Sequence, residues 1–264
     1  MPRFKIFLEY QGTRYRGWQI QQNARTVQGE ISKSLAQIFP GKELEFQGAG
    51  RTDAGVHALL QVAHLDVDTR LSPRDLRRRL NEELPSDINI LRVEVAPGRF
   101  HARHHALGRV YLYQISRRRT AFGKNYVWWI PDELDLGRMR EAAQLLLGMR
   151  DFKSFTADEP EEKSTRVLIE RLDIEESGDL ILIRILGSHF LWKMVRRLVG
   201  VLVEVARGKL TLEEVQRFLQ FRSNRPAEFT APASGLFLEK VLYEGDEATP
   251  DAAQATVPLI RIPS

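Results

Sequence analysis

Residues Arg3 to Tyr10 alternate, with Phe4, Ile6, Leu8 and Tyr10 on one face, and the chain then changes to helical spacing at Val27, Ile31, Leu35 and Ile38. That change of period constrains the fold more than any bulk property, because a half-buried strand and an amphipathic helix bury different faces. Thr26 stands where an N-cap belongs, and Pro40-Gly41 stops the helix. A short strand is expected over Glu43 to Gln47 and a third from about Leu60 to Val67. Ser72-Pro73 opens a second helix in cap-then-proline order, Pro85 closes it, and Ile88 to Val95 makes a fourth strand. The order is β-α-β-β-α-β, the ferredoxin-like split unit.

The same order of elements recurs without visible sequence identity. Val110 to Ser116 reads as a strand, and Leu136 to Leu147 as a helix ended by Gly148. Thr165 to Glu175 and Leu180 to Leu186 flank the hairpin signal Ser177-Gly178-Asp179. Phe190 to Ala206 is apolar around much of its circumference and is expected to be a long buried helix. Thr211 and Glu214 have capping-box spacing, and Phe237 to Tyr243 is the last strand. The fold class expected is therefore α+β: two ferredoxin-like (RRM-like) halves whose antiparallel sheets lie side by side around a central cleft. The halves cover residues 1–103 and 104–245, followed by a tail at 246–264 that ends in the apolar Leu259, Ile260 and Ile262.

Composition narrows the function. The 264 residues are 43% hydrophobic and 28% charged, which suits folded cores. There is no cysteine, so disulfides, thiolate zinc sites and cysteine nucleophiles are excluded, and a cytoplasmic protein is expected. No apolar run approaches membrane-spanning length, and the N-terminus shows no signal-peptide pattern. The formal net charge of +4 is a mild hint of a polyanionic partner, but arginine is clustered while acids sit elsewhere, as at Glu159, Glu161 and Glu162. The clusters are Arg77-Arg78-Arg79, Arg99 with Arg103 and Arg109, Arg117-Arg118-Arg119, and Arg196-Arg197. Any one such run is also what a solvated helix or loop face looks like.

The stretch Gly48-Ala49-Gly50-Arg51-Thr52-Asp53-Ala54-Gly55-Val56-His57-Ala58 falls between the second and third strands. A lone aspartate on a glycine-rich turn, two residues after an arginine, reads as a presented carboxylate; the same residues also suit a hairpin loop that uses Asp and Gly for turn chemistry alone. Tyr10 to Gln19 interleaves Tyr10, Tyr15 and Trp18 with Arg14 and Arg16, the mixture that base stacking and phosphate contact require, or else a hairpin whose aromatics fill the core. His101, His104 and His105 lie close in sequence, but no matching carboxylate or cysteine set accompanies them, so no metal site is expected. Tyr111 and Tyr113 share one strand face, and at least one of them suits a core tyrosine. An arginine in the apolar helix at Arg196 calls for a carboxylate partner, and Asp53 is a candidate.

Gly48 to Ala58 resembles the signature loop of the tRNA pseudouridine synthases of the TruA type. Tyr10 to Gln22, Phe100 to Tyr113, Asp151 to Phe155, Phe190 to Gly200 and Ala231 to Tyr243 resemble further blocks of that family in the same order. The resemblance implies that Asp53 is the catalytic aspartate of an isomerase that turns uridine into pseudouridine in the anticodon stem-loop of tRNA, at tRNA positions 38 to 40, with no cofactor. It implies that Arg51 aids extrusion of the target nucleotide, Tyr111 lies against the base, Arg196 pairs with Asp53, and Leu236 walls the pocket. It leaves the first step open: attack on C1′, addition to C6, or proton abstraction giving a glycal. A homodimer sharing tRNA is implied as well. The RNA-binding candidates are Arg14, Arg16, Arg77, Arg78, Arg79, Arg103, Arg109, Arg117, Arg118 and Arg119. Two rivals share the order of elements. A non-catalytic pair of RRM-like halves leaves a carboxylate in a polyanion groove unexplained, and a small-molecule α+β enzyme leaves the arginine–aromatic mixture unexplained.

Overall fold

In a computed structural model, described for residues 1–158 and 164–246, the chain is a mixed α+β protein with a multistranded sheet and six helices. Strand β1 (Arg3–Tyr10) leads through a 3-10 turn at Gly12–Arg14 to α1 (Val27–Ile38), β2 (Leu44–Gly48), β3 (His57–Val67), α2 (Pro73–Glu83) and β4 (Ile88–Ala96). Then come β5 (Gly108–Ser116), β6 (Trp128–Trp129), α3 (Leu136–Leu145), β7 (Gly148–Asp151), β8 (Arg166–Ser177) and β9 (Leu180–Gly187). The chain continues through α4 (Met194–Ala206), α5 (Leu212–Gln220), the short α6 (Arg225–Glu228) and β10 (Leu236–Leu242). The expected tail falls at residues 247–264 beyond its first position, and so lies outside the described residues, as do Glu159, Glu161 and Glu162.

Contacts divide the described residues into two compact units, Met1–Leu107 with residues 237–246, and Gly108–Leu236. In the first unit β1 lies between β4 and β3 and runs antiparallel to both, and β2 pairs antiparallel with the far half of β3. The last strand joins this unit rather than following the second half, because Phe237 and Leu238 pair in parallel with His57 and Ala58 at the start of β3. That pairing also carries β3 back to His57, earlier than its alternation suggests. Phe4, Ile6, Leu8 and Tyr10 of β1 are all buried, as is the Val27, Ile31 and Leu35 stripe of α1. Both helices are capped as their sequences prescribe: Thr26 Oγ1 accepts from Gly29 N at 3.2 Å, and Ser72 Oγ from Asp75 N at 3.2 Å.

In the second unit β9 lies between β5 and β8 in antiparallel pairing, β7 extends β8, and β6 adds in parallel to β5. Helix α3 packs on α4, α5 and β8. Thr211 and Glu214 form the full capping box of α5. Helix α4 is buried along nearly its whole length, but it starts at Met194 and not at Phe190. Lys193 holds φ +61, a left-handed conformation that cannot continue a right-handed helix. Trp192 is fixed in the preceding loop, its N–H donating to Asp158 Oδ2 at 3.2 Å and its carbonyl accepting from Ala157 N at 3.0 Å.

Candidate active site

The loop between β2 and β3 is held at Thr52 and Gly55 by the loop that follows β1. Trp18 N donates to Thr52 O at 3.1 Å, and Gly55 N donates to Tyr15 O at 3.2 Å. Val56 N closes a turn back to Asp53 O at 3.1 Å. Tyr10 and Thr52 hydroxyls are 2.8 Å apart in a buried contact, and Gly12 N donates to His57 Nδ1 at 3.0 Å. On the other flank Gln61 Nε2 reaches Gly50 O at 3.1 Å. Two glycines allow the two loops to approach so closely. A Cβ on Gly12 would stand 1.9 Å from Val56 O; one on Gly17, whose φ is +94, would stand 2.5 Å from Thr52 O.

Asp53 is half-buried at the turn so formed, between the buried Thr52 and the exposed Ala54. The bond from Gly12 fixes His57 Nδ1 as an acceptor, hence a neutral ring with its proton on Nε2, and that ring stacks on Phe237 at 4.7 Å. Arg51 is exposed, with Nε donating to Gln19 Oε1 at 3.1 Å. Tyr15 is buried and donates its hydroxyl to Asp87; burial first, then that acid, push its pKa well above the usual phenol range. Tyr15 is therefore a neutral strut. A neutral ring under the loop and a neutral phenol beside it leave Asp53 as the acid on this turn.

In the second unit the two tyrosines of β5 part company. Tyr113 is fully buried, donates to Pro232 O at 2.8 Å and meets Trp128 edge-on, so it is the core residue. Burial pushes its pKa above any physiological range. Tyr111 is half-buried and meets the Phe190 ring edge-on at 5.1 Å. Arg196 is half-buried; its Nε donates to Ala231 O at 2.7 Å, and its own carbonyl accepts from Ala231 N at 3.0 Å. The same segment takes the Tyr113 hydroxyl and leads through the turn Ala233–Gly235 into the buried Leu236. Tyr111, Arg196 and Leu236 thus belong to one unit, and Asp53 and Arg51 to the other.

The candidate RNA-binding arginines differ in how far they are already engaged. Arg78 pairs with Glu82 at 3.0 Å, Arg117 with Glu176 at 2.6 Å and Arg118 with Asp179 at 3.2 Å. Arg77 donates to Ile90 O at 3.2 Å, Arg109 to Ser188 O at 2.9 Å, and Arg119 lies over the Trp129 ring. Arg79 and Arg103 are exposed. Arg14 and Arg16 are exposed on the bracing loop itself, with no side-chain partner among the described residues. His101 packs against His64 at 4.6 Å and His104 at 4.2 Å, and among the described residues no group of three or more His, Asp or Glu is arranged to hold a metal ion. Among those residues no helix is long and apolar enough to cross a membrane.

Sequence reasoning passed over Thr52, His57, Gly12 and Gly17 as positioning residues, and Phe190 as the ring behind Tyr111. The hydrogen bonds that recruit Thr52, His57 and Gly12 join residues 42 and 45 apart, and no local pattern reports such pairs.

Comparison with known proteins bears on the same residues. A family model described as tRNA pseudouridine synthase matches residues 6–104 and 142–244, a range that includes Asp53, Arg196 and Leu236 but not Tyr111. The chain is similar to tRNA pseudouridine synthase A of Rhodopseudomonas palustris, 43% identical over 247 residues, covering 92% of this chain and 100% of the relative. It is also similar to the proteins of that name from Brucella ovis and Brucella abortus, each 40% identical over 248 residues, 92% of this chain and 98% of the relative.

Proposed function

Because the chain belongs to the tRNA pseudouridine synthase family, we propose that it isomerises uridine to pseudouridine in tRNA with Asp53 as the essential carboxylate. The N1–C1′ bond breaks, the uracil turns, and C5 bonds to C1′; the proton lost from C5 is matched by one gained at N1. Nothing is consumed, so the reaction draws on no cofactor. The observation that carries the reading is the family match across both units, joined to an aspartate on a loop that Tyr10, Tyr15, Trp18 and Gln61 hold by hydrogen bonds. Preorganisation of this kind is what a nucleophile or base needs, whether Asp53 attacks C1′, adds to C6 or draws a proton to form the glycal.

Tyr111 is the proposed platform for the target base. Extrusion of the nucleotide costs a few kcal/mol, stacking on an aromatic ring returns roughly 1–3 kcal/mol, and arginine–phosphate contacts supply a salt-sensitive remainder. By the resemblance, Arg196 is the guanidinium proposed to pair with Asp53. Arg51 aids extrusion and Leu236 supplies an apolar wall. The β4-β1-β3 order with β2 on β3, and the β5-β9-β8 order, support two ferredoxin-like halves, residues 1–103 bearing the catalytic loop and 104–245 the base platform. Action on the anticodon stem-loop at tRNA positions 38 to 40, a homodimer and a cytoplasmic location complete the proposal and rest on the resemblance.

The test is tritium release from C5-labelled uridine in purified tRNA. Wild-type protein should release it, and Asp53→Asn should bind tRNA within about twofold of wild type and release none, because an amide is neither nucleophile nor base. Product formation by Asp53→Asn overturns the assignment, and an RRM-like binding protein would release nothing in either form.

A further inference from the structure

The loop that braces Asp53 also has an outer face. With Asn23, Arg25, Ala54 and Gly55 it borders an open pocket of about 580 Å³ that contains Arg14 and Arg16. Three guanidinium groups line it, and among its lining residues none is acidic. The third, Arg25, is parked on a rigid base: it lies 4.7 Å over the Tyr15 ring, its Nη2 is 3.4 Å from Glu30 Oε2, and its carbonyl accepts from Arg16 N at 2.8 Å. Tyr15 is in turn fastened to Asp87. Gln21 Nε2 caps Arg16 O at 3.0 Å, and Asn23 takes a left-handed φ of 57 to bring Arg25 back to the loop. One wall of the pocket is Ala54–Gly55, the two residues directly after Asp53.

Several exposed arginines of this chain, Arg78, Arg117 and Arg118 among them, face an acid and are partly neutralised. Arg14 and Arg16 do not, so two uncompensated charges stand beside a third in a concave site, which raises local anion concentration. Guanidinium forks suit phosphate oxygens and carry no base preference. We propose that this pocket holds the phosphodiester backbone of the RNA immediately beside the nucleotide on which Asp53 acts, with Arg14 and Arg16 as the principal contacts and Arg25 as the third; this rests on the function proposed above. Successive Cα atoms are about 3.8 Å apart, so a phosphate seated against Ala54–Gly55 is within one nucleotide of the carboxylate turn. The bracing loop then places the substrate and the acid from opposite sides of one backbone.

The experiment measures tRNA affinity by fluorescence anisotropy from 50 to 200 mM KCl for wild type, Arg14→Ala/Arg16→Ala and Arg171→Ala, the last an exposed arginine paired with Asp173 in the other unit. Each phosphate contact contributes a slope of about 0.7 to 0.9 in log Kd against log salt, so the double variant should lose about 1.4 to 1.8. Its affinity deficit should then shrink about 7- to 12-fold over that fourfold change in salt. Arg171→Ala should keep the wild-type slope. A double variant that melts like wild type and keeps the slope overturns the proposal. Position is read with anticodon stem-loops carrying a single neutral methylphosphonate at each phosphate flanking the uridine. One such substitution should weaken wild type and leave the double variant unaffected; equal weakening of both at every position refutes placement beside the target. Inorganic phosphate that displaces tRNA beyond the effect of chloride at equal ionic strength would assign the pocket to a free anion instead. Binding is read without turnover, so absence of tritium release by wild type would sink the parent reading and leave these slopes interpretable.

Discussion

Gly17→Ala separates loop placement from every other source of activity. Gly17 sits at φ +94, where an L-residue is strained by roughly 1–3 kcal/mol. The new Cβ would stand 2.5 Å from Thr52 O and 3.1 Å from the Asp53 carbonyl carbon, both backbone atoms that no rotamer change can move. Ordinary contact begins near 3.4 Å, so the Thr52–Asp53 backbone must retreat by the difference of 3.4 and 2.5, about 0.9 Å. The retreat strains the Trp18 N to Thr52 O hydrogen bond, worth about 1 kcal/mol. Together these put the stability loss at about 2–4 kcal/mol, at about 2–4 °C of melting temperature per kcal/mol for a chain of this size. A misplacement of this order costs about 100-fold in rate. Single-turnover tritium release at saturating tRNA should therefore fall about 100-fold with tRNA affinity nearly unchanged. A variant that shows the loss in melting temperature and yet turns over at the wild-type rate would refute the claim that this contact sets the carboxylate.

Tyr111→Phe keeps the ring and its edge contact with Phe190, so single-turnover rate should drop less than 10-fold; a loss as deep as that of Asp53→Asn would implicate the hydroxyl in proton movement. Arg196→Ala removes the donor to Ala231 O and should lower stability by about 1–3 kcal/mol as well as abolish turnover, whereas full activity in urea-titrated, folded Arg196→Ala would exclude it from the site. His64 is buried, its Nδ1 accepts from Ala102 N at 3.2 Å, and desolvation first, then Arg3 and His101, hold its pKa below the usual histidine value, against the opposing pull of Glu45 and Asp66. The unfolded chain thus binds a proton that the folded chain resists, so stability should decline as pH falls below about 6.5 and level off below the folded pKa. Thermal melts of wild type and His64→Gln from pH 7.5 to 5 check this: the wild-type decline should be shallower in the variant.

Much of the backbone could be read locally because each element announces its own ends. Strand β1 alternates, α1 and α2 carry Thr26 and Ser72 at their caps, and Gly178 at φ +59 turns the β8–β9 hairpin. Three features escaped. The start of α4 is moved by one left-handed lysine, a residue type that does not signal such a conformation. Strands β6 and β7, two and four residues long, are too short to show a period. The pairing of β10 with β3 joins residues far apart in sequence, which no window sees. At the candidate site the glycine-rich loop stood out by composition. Alternation put Tyr111 and Tyr113 on one face but is blind to depth along a strand, and depth is what separates a core phenol from an accessible ring. Arg25 drew no notice because a lone arginine before a helix looks like ordinary surface; only the folded loop sets it beside Arg14 and Arg16.

The interlocked loops have a bearing on how such a protein can change. Gly12, Tyr15, Gly17 and Trp18 are each spoken for by a partner across the gap, so the spacing between them behaves like teeth on a gear: adding or deleting one residue would throw every later contact out of mesh. Thr13, Arg14 and Arg16 are exposed between those contacts, so their side chains can change without disturbing the mesh. Altered RNA affinity at this edge should therefore arise by swapping side chains at fixed length, never by lengthening the loop.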